Sequence, residues 1–316
     1  MFQLYKKRNF NDYISDNISF FKIYGKNYFS NFIKINGIFI IILVFTLYFL
    51  SKFYMEIIMK SMNTGESPSV LNDYFQNNAP LFFSVLAIFI ILTLFLSIVN
   101  YTFPIIYLEL LNQNNEKEIS AKSIIKALKE QTFKMIKFTL GIIFIIMPLG
   151  FIFFGILILL CFIIIGIPLL FIMLPAFMSW ISISYHEYIV DDCTFFESLN
   201  NALTTVRSQF WPIIGSTLTT IFLVQTIQGF ITMIPYIITV VWMMFSLENI
   251  ENNPKNDLFS IISIIFTVII ILSFLLSIIF QNFIFIQQSL IFYSHKEMNE
   301  AHNVTSQIDL IGTDFE

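Results

Sequence analysis

The sequence predicts an all-α fold. It reads as a polytopic helical membrane protein with six transmembrane helices in three pseudo-repeats, each preceded by a cytoplasmic interfacial amphipathic helix. Three observations carry this. Of 316 residues, 57% are hydrophobic and only 12% are charged, whereas soluble domains carry about a quarter charged residues. Charged side chains are missing from five long windows, 35–51, 74–108, 138–185, 208–247 and 258–294. Polar-faced segments with apolar residues stepping by three and four, the helical period, precede the first, third and fifth predicted spans.

The elements follow from the windows. A bilayer core about 30 Å thick needs roughly 20 helical residues. The first window, with Phe53 and Tyr54 extending it, gives span 1 at 35–54. The second gives span 2 at 81–104. The 138–185 window holds 48 residues, and one straight helix of that length would measure about 72 Å. It must fold back, and Gly150 to Gly155, just after Pro148, is the expected turn. This gives spans 3 and 4 at 138–156 and 161–184. Span 5 is expected at 212–233. Gly229 and Pro235 leave 234–247 open as a surface segment, a re-entrant segment or a further crossing. Span 6 is expected at 259–291.

Lysine and arginine placement sets the orientation. Lys6, Lys7, Arg8, Lys22, Lys26 and Lys34 precede span 1; Lys117, Lys122, Lys126, Lys129, Lys134 and Lys137 follow span 2. With Arg207 and Lys296, 14 of the 17 basic residues fall on one predicted side, leaving Lys52, Lys60 and Lys255 on the other. Both termini are therefore expected on the cytoplasmic side of an inner membrane. The polar, basic opening segment shows no cleavable signal peptide, so span 1 is expected to act as an uncleaved insertion signal. Cys161 and Cys193 are too few for a disulfide framework. No cofactor is implied.

Each pseudo-repeat (about 10–111, 119–190 and 194–294) opens with a helix of mixed polarity. In the third, Phe196, Leu199, Leu203, Val206 and Phe210 fall on one helical face. Thr194 and Glu197 have capping-box spacing, and Pro212 sits where a new helix tolerates its missing N–H. The first repeat shows the pattern at Ile14, Ile18, Phe21, Tyr28 and Phe32, and the second at Ala121, Ile125, Leu128, Thr132 and Met135. Trp211, Arg207, Lys126 and Lys26 are the expected interfacial anchors. Residues 1–294 form one integral membrane domain in this reading. Residues 295–316 form a short acidic tail, whose Ile308, Leu310 and Ile311 are a docking candidate for a protein partner. Basic clusters beside the membrane suit anionic lipid headgroups, and nothing points to nucleic acid.

The run VDDCTFFESLNNALTTVRSQFWPIIG, residues 190–215, resembles the pattern after span 4 in the membrane domain attached to some glycerophosphodiester phosphodiesterases. It is also similar to related stand-alone bacterial inner-membrane proteins of uncertain function. Leu199 and the pair Phe210-Trp211 match that pattern, and Asp191, Asp192 and Glu197 supply its acidic character. Ala202 stands at the family's serine position and Leu203 where tryptophan is common. The resemblance implies an integral membrane module. It does not imply phosphodiesterase activity, which in those enzymes belongs to a separate soluble domain.

Chemistry-bearing residues are few. His186, Glu187, Asp191 and Asp192 form the one cluster of ligand-type side chains. Its spacing is not that of a zinc site, and a polar helix end leaving the membrane explains it. A membrane-embedded enzyme built on His186–Asp192 would need a further polar partner such as Glu109. The expected spans carry no mid-membrane charge, which counts against ion-coupled transport. Gln225, Gln228, Gln281, Gln288 and Asn100 remain as candidate lining of a polar pocket, or as interhelical hydrogen-bonding groups. The function expected is a structural, regulatory or lipid- and envelope-homeostasis role without catalysis. The alternative is a transporter or lipid-handling permease using the glutamines of spans 5 and 6.

Overall fold

A chain in lipid must close its backbone hydrogen bonds within each segment, and an α-helix does so at every residue. The computed structural model describes the backbone of residues 2–64, 67–113, 119–247 and 255–300. Side chains are described for 2–58, 78–113, 119–241 and 263–299. The described residues form helices and short connections, with no strand among them. In chain order these are α1 (Phe10–Thr64), α2 (Ser67–Gln113), α3 (Ala121–Gly141), a π-helical turn (Ile142–Ile146), α4 (Met147–Cys161), α5 (Gly166–Val190), α6 (Phe195–Ser208), α7 (Phe210–Leu247) and α8 (Lys255–Glu300). Six runs are long and apolar enough to cross a membrane: Phe10–Ile58, Asn78–Gln113, Ala121–Cys161, Gly166–Val190, Phe210–Val241 and Ser263–Asn299.

Two expectations about turns change. The chain does not fold back at Gly150–Gly155; α4 runs straight through both glycines. Pro148 near the start of α4 follows directly on the π-helical turn. A proline ring crowds the carbonyl one turn earlier, and the wider π turn gives it room, so the helix continues. Gly150 instead lets α5 approach, since a Cβ there would lie 3.4 Å from the Phe177 ring. The turn falls at Phe162–Ile165. Phe162, Ile163 and Ile164 donate their N–H groups to Leu159, Leu160 and Cys161 carbonyls at 3.2, 3.1 and 2.9 Å. Gly166 makes it feasible: a Cβ there would sit 2.3 Å from the Cys161 nitrogen and 2.5 Å from the Leu157 oxygen.

The second change concerns 234–247. This segment is neither re-entrant nor a separate crossing but the continuation of α7, which passes Pro235 without interruption. A proline deletes one intrahelical bond, here the one to the Ile231 carbonyl, without ending the helix; two threonines of the same stretch fold back on its backbone. Thr232 and Thr239 donate to the carbonyls of Gln228 and Pro235 at 3.0 and 2.7 Å.

The contacts divide the chain into two compact units. The first takes the residues up to Ile35, Ile98–Leu223 and those from Gln281 on; the second takes Asn36–Ser97 and Val224–Phe280. The division does not follow the bounds of the three expected pseudo-repeats. The second unit is a bundle of apolar helical segments. Leu43, Leu47 and Leu96 are buried at its centre, with Phe39, Phe89, Ile270 and Phe274 around them. The first unit is richer in aromatic and polar side chains. Tyr28 packs edge-on to Phe103 and Tyr107, each with ring centres 4.9 Å apart.

In each expected entry helix part of the apolar stripe is buried, Tyr28 and Phe32 in α1, Leu128 and Met135 in α3, Leu199 and Val206 in α6, and part is exposed. In α1 the buried residues are Tyr13, Asn17, Phe20, Tyr28 and Phe32, while Ile18 is exposed. In α3 they are Ile124, Leu128, Met135 and Phe138, while Ile125 is exposed. In α6 they are Ser198, Leu199, Ala202, Thr205 and Val206, while Phe196 is exposed. An apolar stripe marks the buried face of a helix bathed in water. Beside lipid, small and polar residues pack inward and large apolar ones face out. The connection from entry helix to crossing also differs between repeats. α1 is unbroken, α3 passes into α4 through the π turn, and only α6 is set off from its successor, at Gln209. The Thr194–Glu197 capping box at the start of α6 is present as expected.

Candidate functional site

Three polar groupings lie within the first unit. The first is a cleft of about 670 Å³ between α1, the end of α2 and the start of α3. Ile23, Asn27, Asn31 and Lys34 step by four, four and three, so the helical period puts them along one side of α1. Asn27 and Asn31 both donate to the Ile119 carbonyl, at 3.2 and 2.9 Å, and Asn31 also donates to Asn27 Oδ1 at 3.0 Å. The Tyr107 hydroxyl donates to the same Oδ1 at 2.9 Å. These bonds tie the chain before α3 to α1. They also bring Ser120, whose side chain caps Ser123 N at 3.2 Å, to the cleft wall.

The described lining of the cleft carries two cations. Lys26 and Lys34 line it and are exposed. No ion pair involves either among the described residues. The first turn of α3 adds the positive end of a helix dipole. Among the described lining residues there is no carboxylate, and they otherwise offer amides, hydroxyls and Tyr24 and Tyr107; Glu116 and Glu118, just before Ile119 in sequence, lie outside the described residues. Such a lining accepts an anion with polar substituents.

The second grouping occupies the ends of α5 and α8. Glu187, Asp191, Asn201, Thr204, His295 and Lys296 line a pocket of about 260 Å³. Asp191 pairs with Lys296 and Asp192 with Lys134. Asp192 adopts φ 54°, a left-handed conformation that aspartate tolerates better than most residues. That turn takes the chain out of α5 and lets the two adjacent carboxylates reach different lysines. Glu109 lies within electrostatic range of Lys134, Asp191 and Lys296. So the sequence cluster does gather with Glu109, but as an ion-pair network in which each carboxylate has a lysine neighbour.

His186 is not part of it. The ring is buried, with Nδ1 2.8 Å from the Ser182 carbonyl and Nε2 2.7 Å from Ser289 Oγ. Among the described residues no group of three or more His, Cys, Asp or Glu is arranged to hold a metal ion. The Cys193 thiol is pushed up by burial and by nearby Glu187, Asp191 and Glu197. This disfavours the thiolate that nucleophilic chemistry requires.

The third grouping is a buried polar network. Tyr28 donates to Asn282 Oδ1 at 2.7 Å. Gln288 donates to Thr217 at 2.9 Å, and Ser179 and Thr217 share a bond at 3.1 Å. Gln287 is fully buried and neither of its amide atoms has a hydrogen-bond partner; the same holds for Gln288 Oε1, Asn100 Oδ1 and Asn17 Oδ1.

The five candidate pocket residues fall in different places. Asn100 and Gln288 are buried in the first unit, and Gln281 in the same unit is exposed. Gln225 and Gln228 belong to the second unit, where Gln225 is exposed and Gln228 donates to the Ser273 carbonyl at 3.0 Å. None of the five lines either pocket described above. Of the expected anchors, Trp211 and Arg207 are exposed, Lys126 is exposed beside Glu130, and Lys26 belongs to the cleft. Asn27, Asn31 and Ser120 were not singled out by sequence reasoning. Their only signal is the amide pair at i, i+4 between two lysines. The tail residues Ile308, Leu310 and Ile311 lie outside the described residues.

No protein-family model, curated protein or solved structure matches the chain.

Proposed function

We propose that this chain is a multi-pass protein of the bacterial cytoplasmic membrane that holds an anionic lipid headgroup at its basic end and serves lipid or envelope homeostasis without catalysis. One observation carries the reading: the cleft of about 670 Å³ whose described lining includes Lys26, Lys34, Asn27, Asn31, Ser30 and Ser120 and, among the described residues, no carboxylate. A headgroup phosphate placed there meets two ammonium groups and a helix N-terminus. The lysine and arginine asymmetry supports a cytoplasmic location for this end and for both termini. Exposed Phe196 and Trp211 support α6 as an interfacial helix. The resemblance of residues 190–215 to membrane modules found with lipid-phosphodiester enzymes agrees with a lipid role.

The test is lipid retention. Protein extracted into nanodiscs of mixed phosphatidylglycerol and phosphatidylcholine retains phosphatidylglycerol in native mass spectra. The Lys26→Gln/Lys34→Gln double variant, still folded, loses most of that preference. Equal retention of both lipids by the unaltered protein refutes the reading.

A second reading, a lipid-handling permease, is favoured by the buried amides of Gln287, Gln288, Asn100 and Asn17 with unmet polar atoms. Such groups are costly in an apolar setting and serve a polar path. Lipid scrambling in proteoliposomes that disappears in Gln287→Leu, with headgroup retention unchanged, supports it.

A further inference from the structure

We infer that the α4–α5 hairpin ends inside the hydrocarbon layer. Its turn, Phe162–Ile165, is a wedge covered by lipid acyl chains that never reaches the water on the far side. This inference does not rest on the headgroup reading.

The side chains argue first. From Phe162 to Pro168 the chain reads FIIIGIP, with no polar side chain. Turns that emerge into water carry glycine, asparagine, aspartate or serine for their local hydrogen bonding. Here Phe162 is 86% exposed, Ile163 65%, Ile164 74% and Ile165 59%. Four adjacent large apolar residues stand outside the protein, and water is the least favourable medium for them.

The backbone argues the same way. Irregular chain in lipid must satisfy its own polar groups. Phe162, Ile163 and Ile164 donate their N–H groups to the last carbonyls of α4, those of Leu159, Leu160 and Cys161, and Ile167 donates to the Ile164 carbonyl. The Cys161 thiol turns inward to the Leu157 carbonyl at 3.4 Å. Ile164 takes φ 67°, a conformation costly for a β-branched residue and easy for glycine or asparagine. An isoleucine there gives up conformational ease and keeps apolar surface.

Length agrees. The buried face of α5 runs from Ser179 to Ile189, and between Gly166 and Ser179 only Pro175 is buried. Trp180 marks the start of the packed part and donates to the Leu199 carbonyl of α6 at 2.8 Å. Tryptophan is the side chain suited to the headgroup level. From Trp180 to Ile164 is 16 residues, about 24 Å of helix, short of the roughly 30 Å hydrocarbon core.

The test uses the native thiol. In the Cys193→Ser background Cys161 is the one remaining cysteine, beside the turn. In sealed proteoliposomes carrying both orientations, a membrane-impermeant maleimide labels it to less than about one fifth of the extent reached in SDS, as lipid shielding requires. Labelling above that level overturns the inference. A nitroxide at Ile163→Cys, with both native cysteines as serine, separates lipid from protein shielding. Collisions with oxygen that exceed those with a nickel chelate are expected. Chelate collisions in excess mean water, and low collisions with both mean cover by protein; either overturns the inference. Efficient Cys161–Cys161 cross-linking between chains makes the cover a second copy and likewise overturns it.

Discussion

His186 Nε2 lies 2.7 Å from the hydroxyl of Ser289, joining α5 to α8 within the first unit. The other ring nitrogen faces the Ser182 carbonyl, which can only accept, so Nδ1 carries the proton. Both ring nitrogens thus have a neighbour, and the ring centre also lies 5.3 Å from that of Phe292 on α8. A buried group left without its partner costs about 1–3 kcal/mol. Ser289→Ala is expected to lower the melting temperature of the detergent-solubilised protein by several degrees. Ser289→Thr, which keeps a hydroxyl, is expected to lose less. Equal melting of Ser289→Ala and the unaltered protein shows the contact to be energetically idle.

The hairpin turn gives a paired prediction. A Cβ at Gly166 runs into backbone atoms of Leu157, Leu160 and Cys161, which have no room to move. Gly155 has nothing within 4 Å. Gly166→Ala is expected to destabilise by more than about 2 kcal/mol through forced backbone shift. Gly155→Ala is expected to be neutral or to stabilise by up to about 1 kcal/mol, as alanine does in helices. Melting and monodispersity of the two variants measure the contrast.

Arg8 is buried and bonded on every side. It donates to Asp16 at 2.9 Å, to the Leu4 carbonyl at 2.8 Å and to the Gln3 carbonyl at 2.6 Å, and its own N–H meets Ser294 at 2.9 Å. Burial holds its pKa below the ordinary arginine value, and Asp16 works against that shift. Lysine has no planar fork to serve three acceptors at once. Arg8→Lys is therefore expected to cost about 1–3 kcal/mol and to open residues 2–9 to protease. Unchanged proteolysis of the N-terminal segment contradicts this.

At the start of α6, Glu197 accepts from the Thr194 N–H and hydroxyl, at 2.9 and 2.8 Å. Those bonds hold its carboxyl below the usual range. A carboxyl depressed on folding adds stability above its unfolded pKa and loses it as pH falls through the folded one. The melting temperature of the unaltered protein is expected to fall through the acidic range more than that of Glu197→Gln. Thr194→Ala removes the cap itself and costs about 1 kcal/mol. Parallel pH profiles of Glu197→Gln and the unaltered protein contradict this account.

How much of this the sequence disclosed depends on which force acts. Runs without charge reveal segments fit for lipid, because lipid penalises every charge alike; all six runs long and apolar enough to cross a membrane lie where the windows put them. The cap at Thr194 was legible for a similar reason, being set by residues three apart. The turn was not. Gly150, Gly155 and Gly166 look alike in sequence, and only the position of the opposing backbone singles out Gly166. The stripes of α1, α3 and α6 were legible, but not which of their residues are buried: Tyr28, Leu128 and Leu199 are, while Ile18, Ile125 and Phe196 are exposed. The cleft escaped because Asn27 and Asn31 acquire meaning only when Ile119, 88 residues after Asn31, arrives beside them.

The most direct measurement is an experimental structure in a bilayer containing phosphatidylglycerol. The account predicts lipid density in the cleft, with a phosphate between Lys26 and Lys34 and hydrogen-bonding distance to at least one ammonium. A cleft filled only by solvent, or one whose lysines turn away from ordered anionic lipid found elsewhere, contradicts it.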